Sequence, residues 1–141
     1  MPDSVLTDIA DDLVAYLKTL SLSQTFTSSR TFLPNFEREN LTGYVVTVYP
    51  AAESREVLTR GQVEHVYTLN AVVRAPVNPA NATDISAALY FVEQLVTSIK
   101  GQAASGAAWI STENDPVFDL EMLQERHEFL SVLTLNYKKV I

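Results

Sequence analysis

The sequence predicts an α+β domain: a mostly antiparallel sheet of about six strands with two helices packed on one face. Three observations predict it. Two segments carry apolar residues at helical spacing, near the N-terminus and past the middle. Several segments alternate with period two and are separated by Pro, Gly and polar connectors. The last fifteen residues, His127 to Ile141, read as one long strand. There Phe129, Ser131, Leu133, Leu135 and Tyr137 share a face, and Leu130, Val132, Thr134, Asn136 and Lys138 take the other. A domain ending in such a strand closes a sheet with it.

In chain order, the first helix carries Val5, Leu6, Ile9, Ala10, Leu13, Tyr16, Leu17 and Leu20 within an arc of about 140°. Asp3 or Ser4 is its N-cap, and the early aspartates suit the positive end of the helix dipole. Residues 24–33 alternate as a strand rich in Thr and aromatics, ended by Pro34. Asn35 to Thr42 reads as a polar loop, and Tyr44 to Tyr49 as a second strand stopped by Pro50. Glu53 to Thr59 and Gln62 to Ala75, joined at Arg60-Gly61, form a β-hairpin. Its first arm is charged and weakly apolar, so it projects beyond the core.

The second helix starts at Asn81 with Asp84 as a capping box, or at Asn78 before Pro79. Its apolar stripe is Ile85, Ala88, Leu89, Val92, Leu95, Val96 and Ile99, and Lys100-Gly101 stops it. Tyr90 and Phe91 fall on flanking faces. Ala107 to Thr112 is a strand anchored by Trp109, and Glu113 to Glu125 an acidic loop with a helical turn at Leu120 to Leu123. The expected order is α-β-β-β-β-α-β-β, in one domain over residues 1–141.

Composition narrows the function classes. With 47% hydrophobic residues and few Gly or Pro, the chain is a folded domain. No apolar run approaches the roughly 18 residues that span a bilayer, and the acidic N-terminus is unlike a signal peptide. The two sequons, at Asn40 and Asn81, read as chance matches without an export signal. Zero Cys removes disulfides, thiolate metal sites and cysteine nucleophiles. A net charge of −7 argues against sequence-independent nucleic-acid binding, which uses clustered Lys and Arg.

Chemical constellations are weak. His65 and His127 lack metal-ligand spacing. Asp8, Asp11 and Asp12 share a helix face without a calcium loop. Glu121, Glu125 and Glu128 have no adjacent base or sugar platform. No nucleophile elbow, P-loop or dinucleotide fingerprint occurs. Arg55, Arg60 and Arg74 flank the hairpin and suit solubility or intersubunit pairing better than a phosphate site. The sequence therefore predicts no catalytic residue, no metal and no cofactor. The remaining candidates are interface residues: Glu53, Arg55, Glu56 and Arg60 of the hairpin, with Tyr90 and Phe91 as aromatic anchors.

The order of elements, with TSSRTFLPNF, YVVTVYP, the hairpin SREVLTRGQVEHVYTLNAVVR, the helix DISAALYFVEQLVTSI and the closing FLSVLTLNYKK, resembles the tail terminator or neck proteins of long-tailed bacteriophages. The resemblance spans nearly the whole chain. It implies a non-enzymatic virion subunit assembled in the host cytoplasm. The subunit forms a ring, usually a hexamer, at the head-proximal end of the tail tube. It touches a tail tube protein and a head connector, DNA passes through the lumen without specific binding, and no membrane is involved. An acidic ring suits such passage, and absence of Cys suits a reducing cytoplasm. Two alternatives stay open: another neck or tail-completion subunit, and a small-molecule-binding or hydrolytic α+β domain using His65 or His127.

Overall fold

The computed structural model describes residues 4–32 and 43–140. The expected strand end at Pro34, the polar loop Asn35 to Thr42, the Asn40 sequon and the Asp3 cap lie outside them. The elements are α1 (Val5–Lys18), β1 (Phe26–Arg30), β2 (Tyr44–Thr59), β3 (Gln62–Pro76), α2 (Ala82–Ile99), β4 (Ala108–Asn114), α3 (Leu120–Arg126) and β5 (Glu128–Val140). One sheet has the order β1-β2-β3-β5-β4. The α+β class stands, with corrections: among the described residues there are five strands and three helices, and the sheet is mixed.

The missing strand is explained by Pro50. It does not stop the second strand, which runs on from Tyr44 to Thr59. The β2–β3 ladder shifts register between Pro50 and Ala52, and a bulge tolerates a residue without an N–H. The mixed character comes from β1, which pairs parallel with Tyr44–Val48 of β2. About a dozen residues separate Arg30 from Tyr44, the length a parallel crossover requires. The other pairs are antiparallel. The acidic segment yields α3, capped by Asp119, whose side chain accepts the Met122 N–H.

One face of the sheet carries the core. Leu69, Ala71 and Val73 of β3 and Leu133, Leu135 and Tyr137 of β5 are buried there against Ile9, Leu13 and Leu17 of α1 and Ala88, Val92 and Leu95 of α2. Ser4 is the cap of α1, accepting the Thr7 N–H at 3.1 Å. The Tyr16 hydroxyl donates to the Ser98 carbonyl at 2.8 Å and ties α1 to α2. Asp11 accepts from Arg30 at 2.9 Å and fastens β1 to α1.

The opposite face is polar over much of its area. Thr68 donates to Asn136 at 2.7 Å, Asn136 to Ser111 at 3.0 Å, and Thr134 to Asn70 at 3.3 Å. Toward the far end of β3 this face buries Val72, Leu130 and the ion pair Arg74–Glu128.

Tyr137 is fully buried, and its hydroxyl has no hydrogen-bond partner among the described residues. Burial pushes its ionisation up to about 12. The neutral phenol is therefore favoured in the fold. Its contribution to stability is complete below about pH 10, where the unfolded chain is also neutral, and is lost as pH rises toward about 12. Alkaline titration should remove on the order of 2–3 kcal/mol over that window. Tyr137→Phe, which deletes an unpartnered hydroxyl, should leave stability at pH 7 equal or raised by about 1 kcal/mol and flatten the alkaline loss. Denaturation series at pH 7 and above pH 10 check both; a clear loss at pH 7 would reveal a partner for the hydroxyl.

Candidate interaction surface

The hairpin is built from the far ends of β2 and β3, paired from Glu53↔Tyr67 to Thr59↔Gln62. Arg60 and Gly61 turn the chain between paired Thr59 and Gln62, with Gly61 at φ +91°, in the left-handed region that favours glycine. Every residue from Ala51 to Arg60 is exposed, whereas the β3 arm is half-buried from Val63 to Val66. β3 is flanked by β5 as far as Glu64, paired with Val140, while among the described residues no strand pairs with the outer side of β2 beyond Val48.

Glu53 ties the arms together. Its carboxylate accepts from Arg55 at 2.8 Å and approaches His65 Nδ1 at 3.2 Å. The Arg55 hydrogen bond, then the His65 contact, holds the Glu53 carboxyl below the usual carboxylate range. His65 stacks on Tyr67, with ring centroids 5.9 Å apart. These are solvent-screened contacts that orient side chains more than they stabilise the fold. Glu56 sits opposite Glu64, and Arg60 occupies the turn.

The two predicted aromatic anchors separate. Tyr90 is 55% exposed, beside shallow depressions lined by Leu22, Gln94 and Thr97 on one side and Thr83 and Ser86 on the other. Phe91 is 0% exposed, which corrects its reading as an exposed anchor. Its ring meets Phe26 and Tyr44 edge-on, at 5.2 and 4.9 Å. The helix has turned slightly from the expected stripe: Ala88, Phe91, Val92, Leu95 and Ile99 are buried, and Leu89 and Val96 only partly. Phe91 packs on Tyr44, the first residue of β2, and the hairpin turn lies roughly 50 Å along that strand. Tyr90 and the hairpin are therefore separate patches.

The other sequence candidates do not converge. His65 pairs with Lys139 near one end of β5, and His127 precedes its other end, on the order of 35–40 Å away. His127 belongs to the helix–strand junction, where it caps α3 in the left-handed conformation. Glu121 and Glu125 are exposed on α3, while Glu128 is buried against Arg74. Arg74 thus sits in the fold's interior, away from the hairpin turn. Among the described residues no three His, Asp or Glu side chains are grouped to hold a metal ion. Dialysis against a chelator should leave the melting temperature unchanged; a drop restored by Zn²⁺ or Mg²⁺ would point to a site. A groove of about 270 Å³ lies between Leu17, Leu20, Leu22 and Phe26, at the end of α1.

Sequence reading missed the exposed apolar residues that accompany the charges. Val57 and Leu58 lie by the hairpin turn, and Ile110, Val117 and Leu120 along the β4–α3 segment. Their signal was apolar residues inside segments otherwise too polar for a core. Among the described residues no helix is long and apolar enough to cross a membrane. No protein-family model matches the chain, and no curated protein matches it.

Proposed function

We propose that this chain is a structural virion subunit that forms a ring, a hexamer by resemblance, at the head-proximal end of a phage tail tube. There it ends tube polymerisation and joins the tail to the head connector. The observation that carries the reading is the β2 arm. Ten consecutive residues, Ala51 to Arg60, are exposed on an ordered strand and turn that extend the sheet past its parallel partner. Such an arm buries too little to serve the subunit's own core, and it offers main-chain edge and charged side chains to a neighbour. The resemblance in element order supports the same reading. The net charge of −7 suits a ring through which DNA slides without being held. The groove beside Leu22 favours a second reading, a small-molecule-binding or hydrolytic domain, and a thermal shift with a small ligand is its test.

Pairing of Ser54 with Val66 sets where the arm can be cut. With residues 55–65 replaced by Asn-Gly, the domain should still fold, because the removed residues are largely exposed. In tail assembly this variant should give overlong or headless tails. A folded variant that yields joined tails of normal, fixed length would sink the proposal.

A further inference from the structure

β4 is the last strand of the sheet, on the side away from β1 and β2, and among the described residues no strand pairs with its outer side. Its main chain is open over a short window. The Asp115 N–H donates to the Val132 carbonyl at 3.1 Å. Bonded and unbonded residues alternate along an antiparallel ladder, so Glu113 also turns its main chain to β5, while Thr112 and Asn114 turn their N–H and C=O groups outward. The window is bounded at both ends. A register shift at Ile110 interrupts the ladder on one side, and Pro116 offers no N–H on the other.

The side chains along this window have a definite character. Ile110 and Val117 flank it and are exposed, as is Leu120 just beyond. From Glu113 to Arg126 the chain carries five carboxylates and one arginine. Of the carboxylates, Glu113 and Asp115 stand exposed within the window itself. The lysines of β5, Lys138 and Lys139, lie level with Ala108 or beyond it, outside the window.

We propose that this edge receives an extended basic peptide segment of a partner protein, added as one more strand beside Ser111 to Asp115. The segment carries Lys or Arg alternating with aliphatic residues. The inference goes beyond the ring reading and does not depend on it. The outward groups of Thr112 and Asn114 bond the segment's main chain, the usual source of affinity in strand addition. Its cations pair with Glu113 and Asp115, and its aliphatic side chains cover Ile110 and Val117, which otherwise face water. A basic partner is the better match because the chain itself has a net charge of −7, so a second copy would bring like charge to an acidic edge. The bulge and Pro116 confine pairing to a short stretch, which suits a peptide and guards against open-ended sheet growth.

The probes are fluorescein-labelled peptides of about eight residues, with Val, Leu or Ile alternating with Lys or Arg, titrated with the full chain. Saturable binding is expected, about tenfold tighter than for the same peptides with Glu at the basic positions. Methylating one alternate set of peptide nitrogens, the set that faces β4, should cost about tenfold, and methylating the other set should cost little. Bound peptide should slow hydrogen exchange at the Thr112 and Asn114 amides. Glu113→Lys with Asp115→Lys, both at exposed positions, should weaken binding about tenfold and leave the melting temperature unchanged. No saturable binding by any peptide of the set, equal loss from both methylations, or exchange slowed only at Ala51 to Arg60 overturns the proposal. Slowed exchange at Thr112 and Asn114 in concentrated protein without peptide puts a second copy at the edge and also overturns it. None of these results decides ring formation, which imaging reads separately.

Discussion

Replacing Glu128 by Gln should lower the unfolding free energy by about 3–5 kcal/mol, the cost of removing the anion from one side of a buried ion pair. Arg74 and Glu128 are both nearly excluded from water, at 3% and 8% side-chain exposure, and hydrogen-bonded across β3 and β5. Arg74 faces Leu130 and Glu128 faces Pro76 in the ladder, two residues apart on one face, so the pair is diagonal. Desolvating two charges consumes much of their attraction, so the pair adds little net stability, and yet losing one partner is expensive. The same logic makes the double change Arg74→Met with Glu128→Leu far milder than the single one. Chemical denaturation of the three variants, with an unchanged slope, checks this. A single-variant loss below about 1 kcal/mol would mean that water reaches the pair.

The second large effect is expected at Phe91. Phe91→Ala should cost about 3–5 kcal/mol, while Tyr90→Ala, one residue away, should stay within about 0.5 kcal/mol. Phe91 fills the angle between Phe26 and Tyr44, where α2 meets the paired ends of β1 and β2. Truncation removes two edge-to-face contacts and leaves a cavity where parallel strands begin. Tyr90 points into open solvent-facing depressions. A denaturation midpoint insensitive to Phe91→Ala would place the aromatic cluster outside the cooperative core.

These two positions show what the sequence can and cannot tell. The helical stripe of α1 and the alternation of β5 were legible because one face of each meets the core and the other does not. In α2 two stripes fit the apolar residues about equally well. One centres on Leu89, the other on Phe91, and only the aromatic partners from β1 and β2 select the second. Pro50 misled because a proline ends a central strand, but here it sits just past the last residue flanked by β1, at a bulge. Parallel pairing of β1 was hidden, since a period of two looks the same in either direction. The Arg74–Glu128 pair spans 54 residues, and each residue alone reads as surface charge. For the candidate surface, the hairpin and its charges were readable from composition. The full exposure of the arm was not, because it depends on the described pairing of β1 ending at Val48 of β2, which is a fact of topology.

The ring proposed for this chain has a shape that can be seen directly. Negative-stain imaging of the purified protein at high concentration tests it most directly. Closed rings of uniform diameter with a central opening are expected, lost in the variant lacking residues 55–65. Single compact particles at every concentration, or open filaments with no closed species, would contradict it.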